Sequence, residues 1–132
     1  MRRSDTSGLN ALGAGPLPAS RNLEIIPLDT PAAVEITFRT SELLALCPVT
    51  GQRDLYDAEI SIRARATLES KSLKLYLATW DREQILAEDL TNSIADDVAA
   101  ALGDHVDSIE VRLHQHVRGG LDITVAARRT VG

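Results

Sequence analysis

Two stretches of period-two alternation enclose a middle stretch of helical period, and that order narrows the fold more than any single motif. Val34, Ile36 and Phe38 alternate with Glu35, Thr37 and Arg39, and Ala58, Ile60, Ile62 and Ala64 alternate with Glu59, Ser61, Arg63 and Arg65. Apolar residues at every second place give a strand one face for the core and one for water. The pattern returns late, in Ile109, Val111 and Leu113 against Glu110, Arg112 and His114, and again in Leu121, Ile123 and Val125. Arg118-Gly119-Gly120 marks the hairpin turn between these last two, since paired glycines tolerate the positive φ that tight hairpins require. In between, Leu73, Leu75 or Tyr76, and Leu77 suit a short helix after Glu69-Ser70. Leu86, Leu90, Ile94, Val98 and Ala101 or Leu102 form the stripe of a longer one. Asp81 with Gln84 resembles a capping box opening that helix, and Gly103 suits its end. The elements therefore run strand, strand, helix, helix, strand, strand. They describe an α+β domain on a four-stranded antiparallel sheet with its helices on one face.

Such a sheet leaves two edge strands unpaired, and closing a barrel from several copies is one way to remove them. A homo-oligomer is favoured over a monomer on that ground. At 132 residues the chain fits one domain, with residues 1–22, rich in Gly, Ser, Pro and Ala, as a flexible N-terminal arm and 23–132 as the folded unit. No apolar run approaches the roughly 18–20 residues that cross a bilayer, and no apolar stretch follows Met1-Arg2-Arg3 as in a signal peptide. The expectation is a cytoplasmic protein without membrane contact. A single cysteine excludes an internal disulfide and a Cys-rich zinc site, and no metal motif is present. A net charge of −5 argues against direct nucleic-acid binding. There is no GxGxxG fingerprint, and no room for a separate dinucleotide domain.

Three places carry candidate chemistry. Cys47 opens the loop Cys47-Pro48-Val49-Thr50-Gly51-Gln52-Arg53-Asp54, where it is either a buried structural thiol or a nucleophile with Asp54 as proton donor. Lys71 and Lys74 are the only lysines beside 12 arginines, placed within one helical turn. They are either a solvated face or a pair of compact charges suited to phosphate. Glu88 is either a surface carboxylate or, beside Leu86, Ala87 and Leu90, one near the buried face that could accept two N–H bonds from a guanine-like edge.

The loop 47–54, the octet Glu69-Ser70-Lys71-Ser72-Leu73-Lys74-Leu75-Tyr76 and the turn 118–120 together resemble the NADPH-dependent 7-cyano-7-deazaguanine (preQ0) reductases of the short, single-domain type. The resemblance runs from about Asn22 to Arg128. It implies a tunnelling fold, or T-fold, whose subunits close a barrel by oligomerisation, with two pentamers stacked into a decamer and active sites at subunit interfaces. It implies reduction of the nitrile of preQ0 to the amine of 7-aminomethyl-7-deazaguanine (preQ1), toward queuosine in tRNA, at the expense of two NADPH. By the same resemblance Cys47 forms a covalent thioimide and Asp54 is the proton donor. Leu68, Glu69, Ser70, Ala87 and Glu88 bind the substrate base, Glu88 as its anchor. Lys71 and Lys74, and more weakly Arg118, meet NADPH.

Two positions depart from the family pattern. A His commonly precedes the anchoring Glu, and here that place holds Ala87; Arg53 stands where Pro is frequent. Two alternatives follow. One is the related amidinotransferase, which forms the same thioimide on preQ0 already in tRNA; the full octet and the acidic charge weigh against it. The other is a catalytically impaired member of the family, against which stand Cys47, Asp54 and Glu88 together.

Overall fold

The computed structural model describes residues 21–130. Residues 1–20 of the arm lie outside that range. Arg21 stacks its guanidinium 3.7 Å above the Trp80 ring, and Asn22 donates to Glu24.

Six strands and two helices follow in chain order: β1 (Ile25–Pro27), β2 (Val34–Leu46), β3 (Arg53–Ala64), β4 (Ala66–Leu68), α1 (Ser70–Ala78), α2 (Ala87–Leu102), β5 (Val106–Arg118) and β6 (Leu121–Thr130). The main sheet is antiparallel in the order β2-β3-β5-β6, and β1 pairs with β4 in a small second sheet. Both hairpins and α1 stand where the periodicity places them, and α2 ends where expected but begins later. β1 and β4 were not foreseen, since three residues are too few to show an alternation.

One face of the main sheet carries Ile60, Ile62, Val111 and Leu113, all buried in one core with Leu90, Ile94, Val98 and Leu102 of α2, which packs on β5 and β6. Burying each such side chain contributes about 1.5–3 kcal/mol. The opposite face is polar and laced with ion pairs such as Arg39–Glu59 (2.9 Å) and Arg128–Glu110 (2.6 Å).

Two bulges decide which residues reach the helix side. Before the irregularity between Thr40 and Leu43, the even-numbered residues of β2 face the helices; after it, Leu43 and Ala45 are buried instead. One slipped residue reverses every later side chain, so the next inward position in the alternation is Cys47. A second irregularity, between Gln115 and Arg118, does the same on β5: Val111 and Leu113 are inward before it, and Arg118 turns inward after it. Gly119 and Gly120 then close the hairpin with φ of 58° and 79°.

The capping box does not form. Asp81 lies in a 3-10 turn, Thr79–Arg82, and α2 begins only at Ala87, after Leu86, which caps nothing with its side chain. Residues 83–85 are extended because they pair with the end of β2: Leu46 N–H donates to Glu83 O (2.8 Å) and Ile85 N–H to Leu46 O (3.0 Å). Leu86, assigned to the apolar stripe, is consequently 47% exposed. Gly103 does end α2, at φ 53°.

Candidate functional site

The loop after β2 is a tight turn closed on Cys47. Gly51 N–H donates to Cys47 O and Cys47 N–H to Gln52 O, each at 2.8 Å, with Gly51 at φ 72°. The turn points its donors at the half-buried sulfur. The Thr50 hydroxyl, then the Thr50 and Val49 amides, hold the thiol below its ordinary value against partial desolvation and the charge of Asp54. The Thr50 oxygen is itself fixed by accepting Gln52 N–H at 3.2 Å. A lowered thiol pKa favours the thiolate, the form in which a cysteine reacts.

Asp54 is buried on the inward face of β3. Arg118, expected among the cofactor contacts, here grips the loop. It donates to the Asp54 carboxylate, to Gln52 Oε1 and, at 3.3 Å, to the carbonyl of Arg53. The inward bulge of β5 makes this reach possible. Of the two alternatives for Glu88, the surface one holds: it is exposed in the first turn of α2, where the helix dipole favours an anion. Ala87 beside it is buried.

Tyr56 belongs to this cluster and escaped the sequence. Its side chain is fully buried, and its hydroxyl has no hydrogen-bond partner among the described residues. Burial first, then the charges of Asp54, Glu88 and Cys47, push the phenol up to about 12, opposed by Arg118. One buried hydroxyl thus lies in the fields of four groups from the loop, β3, α2 and β5. The available signal was parity: Tyr56 follows Asp54 by two residues in the alternation of β3.

A second group gathers where β4 enters α1. Leu68 is buried in the core. Glu69 caps α1, its carboxylate accepting the amides of Lys71 (2.8 Å) and Ser72 (2.7 Å). Its own N–H donates to Glu24 O, and its carbonyl accepts from Leu73 N–H and the Ser72 hydroxyl. Glu69 is thereby committed to shaping the helix start. Ser70 and Lys74 line a mostly apolar cleft of about 290 Å³ with Phe38, Leu43, Ile60 and Leu73. Eight of the ten described arginines (21, 39, 63, 65, 112, 118, 128 and 129) are ion-paired. Among the described residues Lys71 and Lys74 are in no such pair, so two adjacent ammonium groups remain available to a ligand's phosphates.

The lysines start at the first turn of α1, whereas Leu46, next to Cys47, pairs with Glu83 beyond the far end of that nine-residue helix. At 1.5 Å per residue about 10 Å of helix separates Lys71 from the end of α1, and about 6 Å separates Lys74.

The chain is similar to known proteins over most of its length. The family model described as QueF-like protein matches residues 58–131. The NADPH-dependent 7-cyano-7-deazaguanine reductase of Syntrophus aciditrophicus is 45% identical over 93% of this chain and 87% of its own length. The protein of the same name from Frankia casuarinae is 37% identical over 90% and 94%. Among solved structures, the archaeosine synthase QueF-Like in its apo form superposes with a TM-score of 0.64 at 21% identity, covering 76% of this chain and 95% of that one, a likeness of fold. With its loop, octet and strand order in place and relatives of this similarity along nearly its whole length, the chain belongs to the QueF-like family.

Proposed function

We propose that the chain is an NADPH-dependent oxidoreductase that reduces the nitrile of 7-cyano-7-deazaguanine to a primary amine, in queuosine biosynthesis, through a thioimide on Cys47. The observation that carries this reading is the donor-lined turn around the Cys47 sulfur with a buried carboxyl, Asp54, a few residues on. The names of the curated relatives supply the substrate and the cofactor.

In this scheme the Cys47 thiol gives its proton to Asp54, the sulfur adds to the nitrile carbon, and Asp54 passes that proton to the nitrogen. Glu88, exposed at the start of α2, anchors the N–H edge of the base, with Ala87 beside it. Leu68, Glu69 and Ser70 shape the pocket wall: Leu68 and Glu69 from behind, Ser70 at its surface. Lys71 and Lys74 hold cofactor phosphates by their unpaired charge; the amides at the start of α1 are already taken by Glu69. NADPH, when bound, supplies the hydride for each of two successive reductions. Arg118 can join the lysines only by exchanging its grip on Asp54 and Gln52.

Leu46, next to Cys47, pairs beyond the C-terminal end of α1 while Lys71 stands in its first turn, and in this reading a complete site takes the two groups from neighbouring copies. Residues 23–132 would form the repeating unit of a T-fold barrel, closed through the β2 and β6 edges into stacked pentamers. The polar sheet face would then line the barrel's interior.

The test is to follow NADPH absorbance and product mass with preQ0. Two NADPH consumed per preQ1 support the proposal. An adduct on Cys47 with no NADPH oxidised refutes the reductase and points to an amidinotransferase. Cys47→Ala must abolish the adduct in either case.

A further inference from the structure

We infer that His116, tied to Asp57, is a positioning residue for Arg118 and through it for the Cys47 and Asp54 site. The tether itself is independent of the reaction; its effect on turnover rests on the thioimide reading above. Backbone pairing of β5 with β3 ends at Tyr56 and Gln115, and its pairing with β6 passes from Gln115 directly to Arg118. Among the described residues, His116 and Val117 therefore have no ladder partner on either side, and Arg118 has none on β3. Side chains hold this end of β5 to β3 instead, one on each face of the sheet. On the inward face Arg118 donates to Asp54, Gln52 and the Arg53 carbonyl. On the other face His116 Nε2 donates to Asp57 Oδ1 at 3.1 Å.

Asp57 is a fixed anchor for that bond. Directly across from it on β5, His114 brings Nδ1 within 3.7 Å of Asp57 Oδ2, and its Nε2 meets Asp122 of β6. The Ser41 hydroxyl of β2 donates to the same carboxylate. These contacts, that of His116 first, hold the Asp57 carboxyl below its ordinary value. A row Asp122, His114, Asp57, His116 thus crosses three strands and ends on the bulge, two residues before Arg118. A bulge residue without ladder bonds is free to shift, and Arg118 shifts with it, out of hydrogen-bond reach of the buried Asp54 carboxylate. Both His116 and Asp57 are half-exposed, so their contact adds little to global stability. Its consequence is local: it fixes where the guanidinium starts.

The experiment takes His116→Ala and Asp57→Ala in the full-length chain, each alone and combined with Arg118→Ala. In each single variant, iodoacetamide alkylation of Cys47 at neutral pH is expected to slow about two- to fivefold, with its pH profile moved upward. Removing the Asp57 charge would by itself lower the thiol's value, so a rise in both variants reads the tether and not the lost charge. On Arg118→Ala neither substitution slows alkylation further. His116→Gln, which keeps an N–H for Asp57, restores the parent profile. NADPH oxidation at saturating preQ0 falls in step with alkylation, and KM for preQ0 holds. Profiles that coincide with the parent's overturn the inference, as do effects that add in full to that of Arg118→Ala, or a loss that His116→Gln does not restore. If the unsubstituted protein neither forms the Cys47 adduct nor oxidises NADPH with preQ0, the functional reading fails, and the alkylation series still decides the tether.

Discussion

Replacing Arg118 by alanine tests the geometry around the thiol most sharply. The guanidinium contacts Asp54, Gln52 and the Arg53 carbonyl together, so its loss frees the Cys47 loop from β5 at one stroke. Side-chain exposure of 7% for Asp54 and 35% for Arg118 sets the size of the effect. An exposed pair is worth about 0–1 kcal/mol, and breaking a fully buried one costs about 3–5. This half-buried pair, whose loss strands a buried carboxylate, falls between, at about 2 kcal/mol. For a chain of this length that lowers the melting temperature by roughly 6 °C. A cycle of Arg118→Ala, Asp54→Asn and the double variant isolates the pair term. There is a second, independent consequence. The charge of Asp54 opposes ionisation of Cys47, and Arg118 offsets it. Without Arg118 the thiol's value rises, and the pH profile of iodoacetamide alkylation moves upward. Cys47 is the only cysteine, so the modification reads it alone. A variant that melts within 1 °C of the parent on the scale of that estimate, with no coupling to Asp54 and an unmoved alkylation profile, would refute the clamp.

Three further outcomes follow from the same contacts. Thr50→Val removes the largest influence lowering the Cys47 thiol, so alkylation at neutral pH should slow several-fold and its midpoint move to higher pH; a superimposable profile would exclude the hydroxyl. Glu69→Ala strips both capping bonds from α1 and should cost about 1–2 kcal/mol in denaturant unfolding, whereas an unchanged midpoint would show the cap to be idle. Lys71→Ala and Lys74→Ala should weaken NADPH binding about tenfold by fluorescence titration and leave Cys47 alkylation untouched; unaltered binding in both would remove the lysines from the cofactor site.

The main sheet and both helices were legible because each buries one face, which writes period two or period 3.6 into the apolar positions. Where structure depends on backbone pairing rather than on a face, the sequence was silent. Residues 83–85 carry the letters of a helix start, yet hydrogen bonds to Leu46 hold them extended and defer α2 to Ala87. The site divides along the same line. Cys47, Asp54 and Glu88 stand out by residue type within a motif. The grip of Arg118 on Asp54 depends on a bulge between Gln115 and Arg118 that no local pattern announces. Tyr56 looks like one more core aromatic until its hydroxyl is found without a partner among the described residues. The lysine pair reads more strongly in three dimensions, because most of the described arginines are ion-paired and neither lysine is.

The account stands or falls on the bond between Cys47 and the nitrile. Incubating the protein with preQ0 in the absence of NADPH, then measuring its intact mass and mapping the modified peptide, observes that bond directly. The prediction is one preQ0 added per chain, located at Cys47, and lost on addition of NADPH with release of preQ1. A protein that stays unmodified by preQ0, or that carries the adduct elsewhere than Cys47, would contradict it.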